Sequence, residues 1–496
     1  MKRSAGILMH ISSLPSKFGI GTLGKEAYKF ADFLKLSNQK YWQILPVGPT
    51  GYGNSPYQSP SAFAGNPYFI DFDLLYEDEL LNKSDYENID WGNNPNFVDY
   101  KKIYENRFKV LRVAFNNFKS SSSFKYNGDF KNFLIKNTWV HNYALFMALK
   151  DFFNMQSFKS WPQDLKDKSI ETINKYKALL QDDINFYIFV QFIFFRQWYC
   201  LKKYVNSLGI KIIGDLPIYV ASNSTEVFFD KENFLLDNNY NPKYVAGCPC
   251  DELSPGGQIW EMPLYDWEYM KKNNYSWFIN RIKYSLKLFD LIRLDHFRGF
   301  ESFFCIKNGA KTAKDGFWKK GPGISFFKIL KKEIGRLPII AEDLGFLTKD
   351  VKKLLKATGL PGMKVLEFAF NSDSKNLYLP HNYKRNSIVY TSTHDCNTIT
   401  GWLKSATAKE LNFISDYSNV EIENLSNWSL INLAYSSVAN LAVIPMQDFL
   451  ALYEKYRMNT PSTVGDNWRW RLKKSYNDNF FLSNKIKNLV KTFGRG

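Results

Sequence analysis

Short apolar runs rich in β-branched residues recur along this chain, and each breaks off in polar or charged residues. They are AGILMH (5–10), YWQILPV (41–47), IKIIGDLPIYV (210–220), DLIRLD (290–295), LPIIAED (337–343), MKVLEFAF (363–370), SIVYTST (387–393) and LAVIPMQD (441–448). Helical patterns such as EAYKFADFLKL, SFFKILKKEI and KDVKKLLKAT stand between most of them. A run that is apolar on both sides of the pleat is a strand covered on both faces. Such strands alternating with helices make a parallel sheet. Eight of them predict an α/β fold, the (β/α)8 TIM barrel.

The runs are unevenly spaced. Between the second and third lies a loop, GYGNSPYQSPSAFAGNPYF (51–69), and then Asn- and Lys-rich helical sequence ending in FVQFIFFRQWYCLKKYVNSLG. A second gap carries AGCPCDELSPGGQIWEMPLYDW. The expected organisation is one catalytic barrel over 1–496. A mostly helical subdomain is inserted at 77–205 after the second strand, and a loop-and-helix subdomain at 221–285 after the third.

Composition narrows the functional classes. The chain carries 65 Lys and Arg against 48 Asp and Glu, a net charge of +17. An excess of that size raises nucleic acid or an anionic membrane as partner. The lysines are instead scattered in pairs, such as Lys202-Lys203 and Lys352-Lys353, beside apolar positions at helical spacing, which is how solvated helix faces look. No nucleic-acid-binding motif accompanies them. The strongest apolar run, Phe186 to Phe195, is interrupted by Gln191 and is too short to span a bilayer. The opening MKRSAGILMHISSLPS does not read as a cleavable signal. Five cysteines, an odd number at irregular spacing, argue against a disulfide framework, and Cys248-Pro249-Cys250 has no second pair beside it to hold a metal. The expectation is a cytoplasmic protein without membrane or nucleic-acid partners, metal or cofactor.

Barrel active sites lie at the C-terminal ends of the strands. There the chain places Asp215 on the third run, Arg293 and Asp295 on the fourth, Glu342 and Asp343 on the fifth, and His394 and Asp395 on the seventh. Arg293 and Asp295 are two apart and so share a face of an extended strand. An arginine in such a pocket holds a neighbouring carboxylate ionised. Carboxylates on three strand ends, with no metal constellation, point to glycosyl transfer. One carboxylic acid protonates the leaving oxygen and one carboxylate captures the oxocarbenium-like centre. Asp295, beside a cation, suits the nucleophile. Glu342, with no adjacent cation in sequence, suits the acid/base.

In order along the chain, SSLPSKFGIGTLG, WQILPVGPTGYGNSPYQSPSAFAGNPYFIDFDLL, LIRLDHFRGF, AEDLG, LPGMKVLEFAF, VYTSTHDCNT and MNTPSTVGDNWRWR resemble the 4-α-glucanotransferases called amylomaltases or disproportionating enzymes, within the α-amylase clan. The resemblance runs nearly end to end. It implies Asp295 as nucleophile, Glu342 as acid/base and Asp395 as a third carboxylate stabilising the transition state. Asp215, Arg293, His296 and His394 are implied around the scissile sugar, with Ser55, Tyr57, Trp260 and Asn467 as further sugar contacts. Maltooligosaccharides and other α-1,4-glucans are the implied donors and acceptors.

The chain departs from the family pattern in places. Glu261 stands where a glycine usually follows the tryptophan, Cys250 replaces a proline and Glu252 an aromatic. Asn371 replaces an aspartate that contacts the sugar. A hydrolase of the same clan, sharing all three carboxylates, stays open as the alternative. A catalytically silent glucan-binding protein is disfavoured because binding needs no such triad.

Overall fold

The computed structural model describes residues 1–51, 53–121, 125–250, 256–345, 347–473 and 479–496. Its eight parallel barrel strands are β1 (Ser4–Leu8), β2 (Tyr41–Gln43), β3 (Lys211–Leu216), β4 (Leu291–Leu294), β5 (Ile339–Ala341), β6 (Gly362–Val365), β7 (Ser387–Tyr390) and β8 (Leu441–Pro445). Each pairs with the next along the chain, and β8 pairs with β1 to close the barrel. All eight apolar runs supply a strand, in the expected order.

The ladders stop short of the runs. The fifth run ends as a strand at Ala341, where one register pair, Gly362 with Ala341, joins β5 to β6. Beyond it the Asp343 carboxylate accepts the Met363 N–H at 2.6 Å, standing in for a strand carbonyl. This corrects the grouping of Asp343 with the strand-end chemistry. Adjacent residues of an extended segment point to opposite sides, so Glu342 faces the barrel mouth while Asp343 stitches two strands together.

Between β2 and β3 the chain forms a stack of helices that includes Tyr100–Ser120, Asn127–Lys136, Trp139–Phe152 and Gln181–Ser207. The last holds a buried apolar face of Phe, Ile, Val and Trp. No single helix among the described residues is long and apolar enough to cross a membrane. Gln191, the residue that interrupts the apolar run, has a specific task. Its Oε1 accepts the Gly65 N–H at 2.8 Å and its Nε2 donates to the Gly65 carbonyl at 2.9 Å. Gln197 grips Asp71 in the same way, at 2.8 and 3.1 Å. Gly65 has to be glycine, because a Cβ there would lie 1.9 Å from the Phe194 ring. The helix thus pins the far end of the loop that follows β2 at two points, Gly65 and Asp71.

A four-stranded antiparallel sheet stands beside the barrel. Its strand Tyr244–Cys248 pairs with Gln258–Pro263 on one side and Ser302–Lys307 on the other, and Ser302–Lys307 pairs in turn with Phe317–Lys320. Two strands come from the loop after β3 and two from the loop after β4. One continuous apolar core runs from β1 through the barrel and the helices to Val490.

Candidate active site

Strand register assembles the first half of the site. Asp215 on β3 is the register partner of Arg293 on β4, and Arg293 is the partner of Ile340 on β5. Two residues further, on the same face, come Asp295 and Glu342. Arg293 Nη1 lies 2.8 Å from both Asp215 carboxylate oxygens and 3.0 Å from Asp295 Oδ1. Arg293 Nη2 is 3.9 Å from Glu342 Oε2. One buried guanidinium therefore faces three carboxyl groups. Burial opposes its charge, but Asp215 and Asp295 outweigh that and raise Arg293 well above its ordinary value. For Asp215, burial pushes the carboxyl up, against Arg293 and the Tyr57 hydroxyl. With a guanidinium donor on both its oxygens, we take the pair as ionised.

Glu342 is set differently. His296 adopts a left-handed backbone (φ 46°), turning the chain back so that its N–H donates to Glu342 Oε2 at 2.7 Å. The Leu344 N–H donates to the other oxygen at 2.9 Å. Burial nonetheless dominates, and the negative charge of Asp295 adds to it, so the carboxyl is raised well above 4.5 despite Arg293. The His296 ring meets Trp260 edge-on at 4.9 Å. Burial lowers the His296 imidazole to about 4, so it is neutral at pH 7, and no described residue partners its Nε2.

The second half of the site follows β7. His394 Nε2 lies 2.9 Å from the Tyr57 hydroxyl and 3.2 Å from Asp395 Oδ2. The Tyr57 hydroxyl donates to Asp215 Oδ2 at 2.8 Å. With that proton committed, the network assigns the Nε2 proton to His394, shared between Tyr57 and Asp395. The Tyr57 and His394 rings stack at 5.3 Å and 13°. Desolvation by the surrounding groove walls acts to raise Asp395, although its side chain is partly exposed, but the His394 ring and the Asn459 amide hold its carboxyl well below the usual carboxylate range.

Residues the sequence reading passed over support this half. Asp448, at the polar end of the eighth run, is buried and accepts from Thr391 Oγ1 (2.5 Å), Ser392 Oγ (2.7 Å) and the Ile399 N–H (2.9 Å). It braces the loop carrying His394 and Asp395 from behind. Its signal was available, since it is one more carboxylate at a strand end. Glu226 accepts from the Ser61 hydroxyl and the Ala62 N–H, both at 2.9 Å, and anchors the loop carrying Tyr57.

Comparison with known proteins decides the family. Residues 9–477 match the family model described as 4-alpha-glucanotransferase. The chain belongs to the 4-alpha-glucanotransferase family. A 4-alpha-glucanotransferase of Clostridium butyricum is 49% identical over 98% of this chain and all of that protein. One of Streptococcus pneumoniae is 44% identical over 95% of this chain and 93% of that protein. The solved amylomaltase from Streptococcus agalactiae in complex with acarbose superposes with a TM-score of 0.97 at 39% identity, covering all of both chains.

The remaining positions implied by resemblance to this 4-alpha-glucanotransferase family are placed as follows. Ser55 Oγ accepts the Tyr57 N–H at 3.2 Å and shapes the turn that carries Tyr57. Trp260 Nε1 donates to Gln258 at 3.1 Å, leaving the ring against His296. Asn467 spends its amide on its own loop, accepting from the Thr460 N–H and donating to the Thr463 carbonyl, both at 2.9 Å. The departure at Glu261 has a measurable consequence. Its φ is +56°, the left-handed region in which glycine is unstrained and a side chain costs roughly 1–2 kcal/mol. Cys250 and Asn371 are exposed, and Asn371 accepts from Asn376 at 3.0 Å. Glu252 lies outside the described residues.

Proposed function

We propose that Asp295, Glu342 and Asp395 perform a retaining double displacement that moves a segment of an α-1,4-glucan to the 4-hydroxyl of another glucan or of glucose. The observation that carries this reading is the opposite setting of two carboxyls around one arginine. Asp295 lies at hydrogen-bond distance from Arg293, whereas Glu342 is buried and pushed toward its protonated form. In the first step an Asp295 oxygen attacks C1, the C1–O4 bond breaks and the Glu342 proton passes to the leaving O4. In the second the acceptor 4-hydroxyl gives its proton to the Glu342 carboxylate and displaces Asp295 from C1. Asp395, held ionised, faces the positive charge that develops at the sugar ring. Asp215, Arg293, His296 and His394 bind around the scissile sugar. Tyr57 and Trp260 offer aromatic faces, while Ser55 and Asn467 act through the loops they shape.

We further read 77–205 and 221–285 as insertions that build the rim of a single barrel. The suggested setting is cytoplasmic. None of the five cysteines is joined in a disulfide, which fits a reducing compartment.

A glycosyl ester on Asp295 is open to water at about 55 M, so transfer wins only if a bound acceptor has a far larger effective molarity, on the order of 10⁵ M. Purified protein given maltotriose should produce glucose and a ladder of longer maltooligosaccharides, with little net gain in reducing ends. A linear rise in reducing ends with no product longer than the substrate would identify a hydrolase instead.

A further inference from the structure

The third carboxylate is gripped by a stretch of chain distant from it in sequence. Asn459 Nδ2 donates to Asp395 Oδ1 at 2.7 Å, while His394 holds the other oxygen at 3.2 Å. The Asn459 N–H donates to the His394 carbonyl at 3.0 Å. Arg457 Nη2 donates to the Asp395 carbonyl and its Nε to the Asn459 carbonyl, both at 2.9 Å. The stretch is itself closed at its base. The Trp468 N–H donates to the Met458 carbonyl at 2.7 Å, and Asn467 accepts the Thr460 N–H at 2.9 Å.

The geometry gives Asn459 a reason to be there. The Asp395 side chain is 46% exposed, so packing does not choose its rotamer. A planar carboxylate anchored at one oxygen still swings about that contact. Anchors on both oxygens define its plane. One anchor, His394, is shared with Tyr57, which leaves Asn459 as the unshared donor.

We propose that Asn459 is a positioning residue for the transfer reaction, its amide orienting the Asp395 carboxylate toward the sugar ring from a turn locked by Arg457 and Asn467. This rests on the reading of Asp395 given above. Besides Asn459, the titratable and charged groups near the Asp395 carboxylate include His394, the Tyr57 hydroxyl beyond it, the adjacent Cys396 thiol and Arg293 across the groove.

The test is maltotriose disproportionation by full-length wild type, Asn459→Ala, Asn459→Asp and Asp395→Asn across pH, with kcat and KM separated. Removing the amide should lower kcat by roughly 10²-fold, the cost of a misplaced group, with KM changed by less than about threefold. Its acid limb should move to higher pH as Asp395 loses a donor. Asn459→Asp keeps the side-chain shape, so it answers the question even if the alanine variant does not fold. It sets two carboxylates together, which hold one proton between them. Its activity should recover as pH falls, with the optimum displaced toward acid by about one pH unit or more. If Asp395→Asn is inactive while both Asn459 variants keep the wild-type kcat and pH profile, the inference is overturned and the assignment of Asp395 stands. The same holds if the variants differ only in melting temperature. If Asp395→Asn turns over normally, the assignment itself falls and takes the inference with it.

Discussion

Arg293 reaches both Asp295, at 3.0 Å, and Glu342, at 3.9 Å, yet the two carboxyls are set for different work. Asp295 is partly open to the groove and Glu342 is nearly closed off, with 23% and 11% of their side chains exposed. Exchange of the acid for its amide isolates its role. Glu342→Gln should lose about 10²–10⁴-fold in turnover of maltotriose, yet still release fluoride in a burst from an α-glycosyl fluoride, whose leaving group needs no proton. Asp295→Asn should abolish both. Equal loss with the two donors would count against Glu342 as the acid. The same residue makes a prediction about stability. Burial raises its pKa from 4.5 to about 8 in the folded chain. The folded state therefore binds more protons than the unfolded state between those values. Its stabilising contribution is complete below about pH 4.5 and is lost as pH rises through about 8. The glutamine variant cannot lose it. Its melting temperature should exceed that of wild type by more at about pH 9 than at about pH 5. A difference independent of pH would refute the burial argument.

Among the elements, the loop after β2 matters most, because it carries Tyr57 into contact with Asp215 and His394. It is held from below by the buried side chains of Gln191 and Glu226. Gln191→Leu keeps the volume of an apolar helix face but strands the Gly65 N–H and carbonyl. At ~1–3 kcal/mol for each of the two buried groups left unpaired, chemical denaturation should register a loss of about 2–6 kcal/mol. The KM for maltotriose should rise in parallel as Tyr57 loosens. An unchanged midpoint and KM would mean that the loop is defined by its other contacts. The helices beneath it read clearly from sequence because their apolar positions repeat at helical spacing. The role of Gln191 did not, since a polar residue inside an apolar run states only that something polar must meet it.

At the scale of the molecule, barrel closure depends on the seam between β8 and β1. Arg495 is fully buried there and donates to the carbonyls of Tyr435 (2.7 Å), Ser437 (2.9 Å), Ala439 (3.0 Å) and Ser4 (3.1 Å). A planar guanidinium with five donors can serve four carbonyls at once, and an ammonium with three cannot. Arg495→Lys should therefore destabilise the chain by about 2–4 kcal/mol in a denaturation titration while leaving KM for maltotriose unchanged. A shift in KM without a loss of stability would place the residue in the site rather than in the seam.

The eight strands, their order and the carboxylates at their ends were determined by the sequence alone. Burial on both faces writes itself into unbroken apolar runs such as LPIIAED, and an ionisable residue at the end of such a run has to face either the barrel mouth or a partner. Which of the two was decided only by tertiary structure. Glu342 and Asp343 are neighbours in sequence, and the pleat turns one toward Arg293 at the barrel mouth and the other to the β5–β6 seam. The antiparallel sheet joins 244–263 to 302–320, stretches carried on different barrel loops. No local period announces that pairing, because both loops must first be brought together by strands already closed into a barrel. Asn459 escaped notice for the same reason. A side-chain hydrogen bond to a distant loop leaves no repeat in the chain that makes it, and its partner is chosen by the fold.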